Sequence, residues 1–215
     1  MVYYILMGII AYLIGSINFS ILISKKYAGF DVRQKGSGNA GTTNMLRSVG
    51  KGAAAITLIL DILKGIVSIL IAVLLGKICT NIVTNNVNPA VLVQVAGICA
   101  ILGHTFPIYF GFKGGKGIAT ALGILLISNW QIGLICLVFA LVIMILTKTV
   151  STGSIAAAIL FPVLTLFLGK ENYVVSGNYF IYSIIIALIV CFNHRENIKR
   201  IANGTENKLS FKNNK

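Results

Sequence analysis

Acidic residues are what this chain has least of. Five Asp and Glu stand among 215 residues, against eighteen Lys and Arg, and charged residues make up only 11% of the total. The five acids (Asp31, Asp61, Glu171, Glu196 and Glu206) are scattered, with no D-x-x-x-D pair. That excludes the carboxylate clusters with which metal-dependent prenyl and alcohol phosphotransferases hold divalent cations. The four cysteines, Cys79, Cys99, Cys136 and Cys191, lie in or beside different apolar runs and form no C-x-x-C or Cys/His spacing, so they read as packing residues rather than a metal site. No G-x-S-x-G elbow is present, and His104 is followed four residues later by Ile108 rather than by an aspartate. No adenine-nucleotide signature and no cofactor motif is visible, and no metal is implied.

Apolar sequence fills the space that charge leaves empty. Hydrophobic residues are 57% of the chain and mean hydropathy is +0.90, which defines an all-α integral membrane protein rather than a soluble domain. Apolar runs at roughly 2–23, 53–75, 90–103, 117–129, 131–146, 154–169 and 178–193 predict about seven transmembrane helices. The third and fourth fall short of the ~20 residues that a crossing needs. They are expected to be short or broken helices, the third continuing through "HTFPIYF" with Pro107 bending it, or else a re-entrant hairpin over 90–129. The N-terminal run has neither a basic leader nor a small-residue cleavage site, and is expected to be a retained helix.

A net charge of +13 would suggest nucleic acid in a soluble protein. Here the basic residues sit in short loops, so topology, anionic headgroups and an anionic substrate explain them, and no nucleic-acid partner is implied. The segments 24–52, 104–116, 147–153 and the tail after Cys191 together carry fifteen of the eighteen, while Lys77 and Lys170 stand on the other side and Lys64 lies within a span. The positive-inside rule then puts the N-terminus outside and these loops and the C-terminus in the cytoplasm.

Three segments on that side carry chemistry. In "GSGNAGTTNMLRS", Gly36, Gly38 and Gly41 permit close backbone approach, Ser37, Asn39, Thr42, Thr43 and Asn44 supply hydrogen-bonding groups, and Arg47 offers a fork matched to phosphate. In "FGFKGGKGIAT", Gly111, Gly114, Gly115 and Gly117 surround Lys113 and Lys116 just before a helix predicted to begin at Ile118. Those are the parts of a phosphate cradle without Walker spacing, so phosphate binding is expected and ATP hydrolysis is not. His104 is placed to order that cradle. In "CFNHRENIKRIANGTENK", His194 and Asn197 are predicted on one helix face, with Gly204 ending that helix. His194 is a general-base candidate. Asp61 and Lys64, three apart within the second span, read as a structural ion pair, and Ser151, Thr152 and Ser154 as helix caps.

Together these segments resemble the PlsY family, the bacterial membrane acyl-phosphate:glycerol-3-phosphate acyltransferases. The likeness runs essentially the whole length, through "GSGNAGTTNMLRSVGK", "GHTFPIYFGFKGGKGIAT" and "NHRENIKRIANGTENK" in order, with "DILKG" at 61–65. It implies one membrane-embedded acyltransferase domain over 1–215, in a bacterial plasma membrane, with its site cytoplasmic. The expected reaction moves a fatty acyl group from acyl phosphate to the 1-hydroxyl of glycerol 3-phosphate, releasing lysophosphatidate and phosphate. No obligate protein partner is implied beyond the bilayer and these substrates. The family's serine and arginine fall on Ser37 and Arg47, its glycine-rich motif on Gly114, Gly115, Lys116 and Gly117, its histidine and asparagine on His194 and Asn197, and a structurally important glutamate on Glu206. Direct attack is expected, with His194 or a substrate phosphate taking the proton; a Ser37-linked acyl-enzyme is the rival mechanism. An acyl-CoA donor, a transporter for a phosphorylated anion and a lipid-headgroup binder are the other readings.

Overall fold

A computed structural model describes residues 1–80, 87–168 and 179–208. Of the two basic residues expected on the outer side, Lys77 is described, while Lys170, with Glu171, lies outside the described residues.

Ten α-helices make up most of the described chain: α1 (Val2–Ser16), α2 (Phe19–Ala28), α3 (Thr42–Ser48), α4 (Lys51–Ile78), α5 (Pro89–Thr105), α6 (Ile118–Ser128), α7 (Trp130–Thr147), α8 (Val150–Leu168), α9 (Tyr179–Asn193) and α10 (Arg195–Ala202). Each predicted apolar run is helical over its described residues, apart from the terminal Gly117 and Asn129 of the fourth and the short breaks noted below. Val2–Ala28, Lys51–Ile78, Pro89–Phe110, Trp130–Thr147 and Val150–Leu168 are long and apolar enough to cross a membrane, and α9 with α10 makes a sixth candidate bent by 64°. The exception is α6. Its 11 residues extend only ~16 Å at 1.5 Å per residue, about half a hydrocarbon core.

Two breaks depart from a simple run of spans. The first apolar run is two helices, because Asn18 adopts extended backbone and its Oδ1 accepts from Ile21 N (3.2 Å) and Ser20 Oγ (2.7 Å). A side-chain cap thus satisfies backbone that lipid could not. The second break follows α5. Phe106 leaves helical geometry before Pro107, and a 3₁₀ turn over Ile108–Phe110 continues the segment, as the proline predicts.

Small residues let the helices touch. A Cβ on Gly15 would lie 2.2 Å from the Ala100 carbonyl oxygen, and one on Gly123 would lie 2.1 Å from that of Ile62. Those are backbone-to-backbone approaches of α1 on α5 and α6 on α4, and they suit a bundle in which lipid supplies no hydrophobic drive between helices. Large apolar side chains such as Leu74, Ile145, Phe167 and Leu188 remain on the outer surface. Buried polar groups gather where α4, α5, α6 and α9 meet the loops: Asp61, His104, Thr120 and His194.

Candidate active site

Arg33 organises the mouth. Its Nε and Nη2 form a fork on the Asp31 carboxylate at 3.0 and 2.8 Å, and its Nη1 donates to the carbonyls of Phe110 (2.7 Å) and Lys113 (3.0 Å). The hydrogen bonds from Arg33 hold the Asp31 carboxyl below the usual carboxylate range, against the opposing effect of burial. Ala40 N adds a bond to Gly114 O (3.4 Å). The two glycine-rich loops, seventy-odd residues apart in sequence, therefore form one rim. In the sequence Arg33 is only a loop charge; its fork geometry is invisible without the partner loop.

Asn44 braces the first loop from inside. Its Nδ2 donates to the carbonyls of Val32 (2.9 Å) and Lys35 (3.0 Å), while its Oδ1 accepts from Ser37 N (3.0 Å) and Ser48 Oγ (3.4 Å). With 1% exposure and these four bonds, it shapes the loop that presents Ser37. Gly36, at φ +58, is exposed but does not line the cleft, and a Cβ there would lie 2.2 Å from Asn44 Oδ1. Ser37, Gly38, Asn39, Gly41, Thr43 and Arg47 do line the cleft. Thr42 Oγ1 is buried there without a hydrogen-bond partner among the described residues.

The second loop is packed, not open. Gly114 N donates to Thr105 O (3.0 Å) and Gly115 N to His104 O (3.1 Å). A Cβ on Gly114 would fall 2.0 Å from His104 O, and one on Gly115 would fall 2.2 Å from His104 Nε2 and 2.5 Å from Ala40 O. Gly117, at φ +83, caps α6, so the first N–H groups of that helix face the cleft beside Lys116. His104 thus packs directly against this loop through both its carbonyl and its ring. Beneath it, Lys64 Nζ sits 2.9 Å from Asp61 and donates to Ile17 O (2.7 Å), and His104 Nδ1 lies 3.5 Å from the same Asp61 oxygen. Asp61 and Lys64 are the predicted buried pair, shared with a histidine.

The third segment closes the far side. His194 is the residue between α9 and α10 rather than part of one continuous helix, and Asn197 follows on α10. His194 Nδ1 lies 2.8 Å from Val190 O. A carbonyl only accepts, so Nδ1 carries the proton and Nε2 the lone pair. Burial, with the nearby Lys116 charge, pushes the imidazole down to about 4. At neutral pH it is an uncharged acceptor.

A hydrogen-bonded chain runs from there. Lys116 Nζ donates to Asn197 Oδ1. Asn197 Nδ2 (2.7 Å) and Ser151 Oγ (2.8 Å) donate to Glu206 Oε1, and Arg200 Nε donates to Oε2 (2.9 Å). Burial pushes the Glu206 carboxyl up, but those three hydrogen bonds outweigh it and leave the group below the usual range. Burial lowers Lys116 to about 8. Gly204, at φ +68, ends α10 as predicted, with Gly204 N bonded to Ile201 O (3.1 Å) and Thr205 N to Arg200 O (2.8 Å). That double bond pattern is a Schellman turn, and it swings Glu206 back onto the site. Ser151 and Arg200 are the participants that spacing could not reveal. Asn193 Nδ2 also ties α9 to Thr105 Oγ1 (3.1 Å) and Lys116 O (3.4 Å).

These groups surround a cleft of about 1140 Å³. Its mouth carries Arg47, Lys113, Lys116 and Arg200, and its body is lined by Leu58, Leu122, Leu137, Ala158, Phe161 and Ile186. A cationic mouth joined to an apolar body fits an amphiphilic anion. Fold and cleft together define a polytopic α-helical membrane protein built to handle such a molecule at the bilayer surface.

Comparison with known proteins makes the class specific. The family model described as glycerol-3-phosphate acyltransferase matches residues 5–204. The glycerol-3-phosphate acyltransferase of Clostridioides difficile (strain 630) is 37% identical over 209 residues, 97% of each chain. That of Thermoanaerobacter sp. (strain X514) is 41% identical over 210 residues, 98% of each. Among solved structures, PlsY (YgiH), an integral membrane glycerol 3-phosphate acyltransferase, matches in its glycerol 3-phosphate form with a TM-score of 0.84 at 36% identity, over 96% of both chains. Its lysophosphatidic acid form matches with a TM-score of 0.81 at 34% identity, over 96% of this chain and 95% of that one. The chain belongs to the glycerol-3-phosphate acyltransferase family and is an integral membrane acyltransferase.

Proposed function

We propose that the protein transfers a fatty acyl group from acyl phosphate to the 1-hydroxyl of glycerol 3-phosphate, giving 1-acyl-glycerol 3-phosphate and inorganic phosphate. The observation that carries this reading is the pairing of two cationic, glycine-rich loops at the mouth of one apolar cleft. Each substrate brings one phosphate, and only the donor brings an acyl chain. The PlsY forms with glycerol 3-phosphate and lysophosphatidic acid match acceptor and product. The cleft opens on the side that carries fifteen of the eighteen basic residues, which supports a cytoplasmic site, an outer N-terminus and residence in the plasma membrane. The span of the family match, 5–204, supports a single domain.

The acceptor hydroxyl attacks the donor's carbonyl carbon. A C–O ester bond forms, the anhydride C–O bond breaks, and phosphate leaves with the bonding electron pair. Lys116 and Arg47 hold phosphate oxygens, and Lys116 is kept in place by Asn197 and Glu206. Gly38, Gly41 and Gly117 bring backbone close to the reacting groups, with Ser37, Asn39, Thr43 and Lys113 around them. Uncharged His194 accepts a hydrogen bond from the attacking hydroxyl through Nε2 and orients it. Since the buried imidazole resists protonation, the proton ends on a substrate phosphate, whose second ionisation lies near neutrality. Ser37 has no imidazole bonded to its hydroxyl among the described residues, which disfavours an acyl-enzyme.

The test mixes purified, detergent-solubilised protein with glycerol 3-phosphate and either palmitoyl phosphate or palmitoyl-CoA. Equal amounts of lysophosphatidate and phosphate from the acyl phosphate alone support the reaction. Product from the thioester alone would replace the donor.

A further inference from the structure

The cleft has a floor. On α8 its wall runs from Ser151 through Ala157 and Ala158, and stops at Phe161. The two alanines present only methyl groups, so the wall is recessed until the phenyl ring closes it. Phe161 is 2% exposed and packs edge-on against Tyr179 (centroids 5.9 Å apart) and Tyr182 (6.5 Å). Those two tyrosines stack on each other at 5.5 Å. Tyr182 is itself hemmed in, since a Cβ on Gly97 would lie 2.2 Å from its hydroxyl oxygen. Three buried rings back one another, and such a stop does not yield easily.

The depth of the cleft can be read along two helices. Ser151 touches the Glu206 network, and Phe161 lies ten residues further along α8, ~15 Å at 1.5 Å per residue. On α9 the cleft wall extends from His194 to Ile186 and does not include Tyr182, a depth of ~12 Å by the same rise. An extended alkyl chain advances about 1.3 Å per carbon from its bond lengths and tetrahedral angles. The body therefore accepts roughly nine to twelve methylenes beyond the polar end before a chain meets the ring.

We infer that Phe161 is the stop of the acyl-chain site and sets the longest chain that the enzyme takes fully into the cleft. This rests on the acyl-transfer reading above. Methylenes that fit are removed from lipid into a shaped wall; those beyond the ring must bend aside and lose that contact. Phe161 touches no reacting group, so its effect falls on chain-length preference and not on the chemistry.

The experiment measures kcat/KM for lauroyl, myristoyl, palmitoyl, stearoyl and arachidoyl phosphate with wild type, Phe161→Ala, Phe161→Leu and Ala158→Leu, all checked for monodispersity and thermal unfolding. Phe161→Ala is expected to move the preferred chain at least two carbons longer. The ratio of kcat/KM for the longer to the shorter donors rises several-fold, from the wall contacts that the extra methylenes gain. Phe161→Leu moves it less, and Ala158→Leu, one turn nearer the mouth, moves it shorter. Should Phe161→Ala not fold, the latter two variants decide. Unchanged profiles in folded variants would overturn the assignment. If wild type uses only acyl-CoA, the donor reading fails alone, and the same series of thioesters then decides the role of Phe161.

Discussion

Gly38 and Gly115, one from each glycine-rich loop, look alike in sequence and differ in why the position needs glycine. In the first loop Gly38 stands at φ +72, and a Cβ added there would meet nothing nearer than the Arg33 carbonyl oxygen, at 3.6 Å. Its constraint is torsional. In the second loop Gly115 has ordinary torsions, but a Cβ would collide with both His104 and Ala40. Its constraint is space. One loop is an exposed turn shaped by Asn44, and the other is a plug wedged between α5 and the first loop. One position is held by its torsions and the other by its packing.

Breaking the rigid side should cost most. Lys116→Met is expected to lower kcat/KM for glycerol 3-phosphate on the order of 10²–10³-fold, the range for losing a preorganised charge at a reacting centre. A pH profile sharpens the same point. Because Lys116 is lowered to about 8, its cation persists below that pH and is lost above it, so kcat/KM should fall as pH rises through about 8. In Lys116→Arg the residual activity should keep no such alkaline limb.

Gly115→Ala ranks next. Overpacking of this kind destabilises by about 1–3 kcal/mol, readable as a lowered unfolding temperature in detergent, and Gly115→Asn should be no better. Arg33→Lys keeps a charge but loses the fork that joins the loops. A loss of ~1–2 kcal/mol in kcat/KM is expected from its missing hydrogen bonds, with the two substrates affected alike. Gly38 is comparable to Arg33. Alanine there should cost ~1–2 kcal/mol of strain, while asparagine, which tolerates left-handed torsions, should recover most of it. Equal behaviour of Asn at positions 38 and 115 would erase the distinction between the loops.

Local chemistry was legible in the sequence, and long-range geometry was not. Gly117 before Ile118 marked the start of α6, and Gly204 marked the end of α10, because caps depend on a few neighbouring residues. Asp61 and Lys64 announced their pairing by spacing alone. The shortness of α6 was legible too, because the apolar run 117–129 is too short for a crossing and the helix fills it only from Ile118 to Ser128. The 64° bend at His194 has no proline or glycine to signal it. Asn44 and Asn39 look equivalent as side chains, yet Asn44 turns inward to four loop atoms. Ser151 reads as a cap until Glu206, 55 residues away, arrives beside it.

Whether Lys116 and the loops around it grip the phosphate of glycerol 3-phosphate is the sharpest question about this site. Equilibrium binding of glycerol 3-phosphate to the purified protein, measured by calorimetry without acyl donor for wild type and Lys116→Met, tests it most directly. Saturable binding to wild type, competition by inorganic phosphate, none by glycerol, and loss of the signal in a folded Lys116→Met are expected. Undiminished binding to Lys116→Met, or competition by glycerol as strong as by phosphate, would contradict that grip.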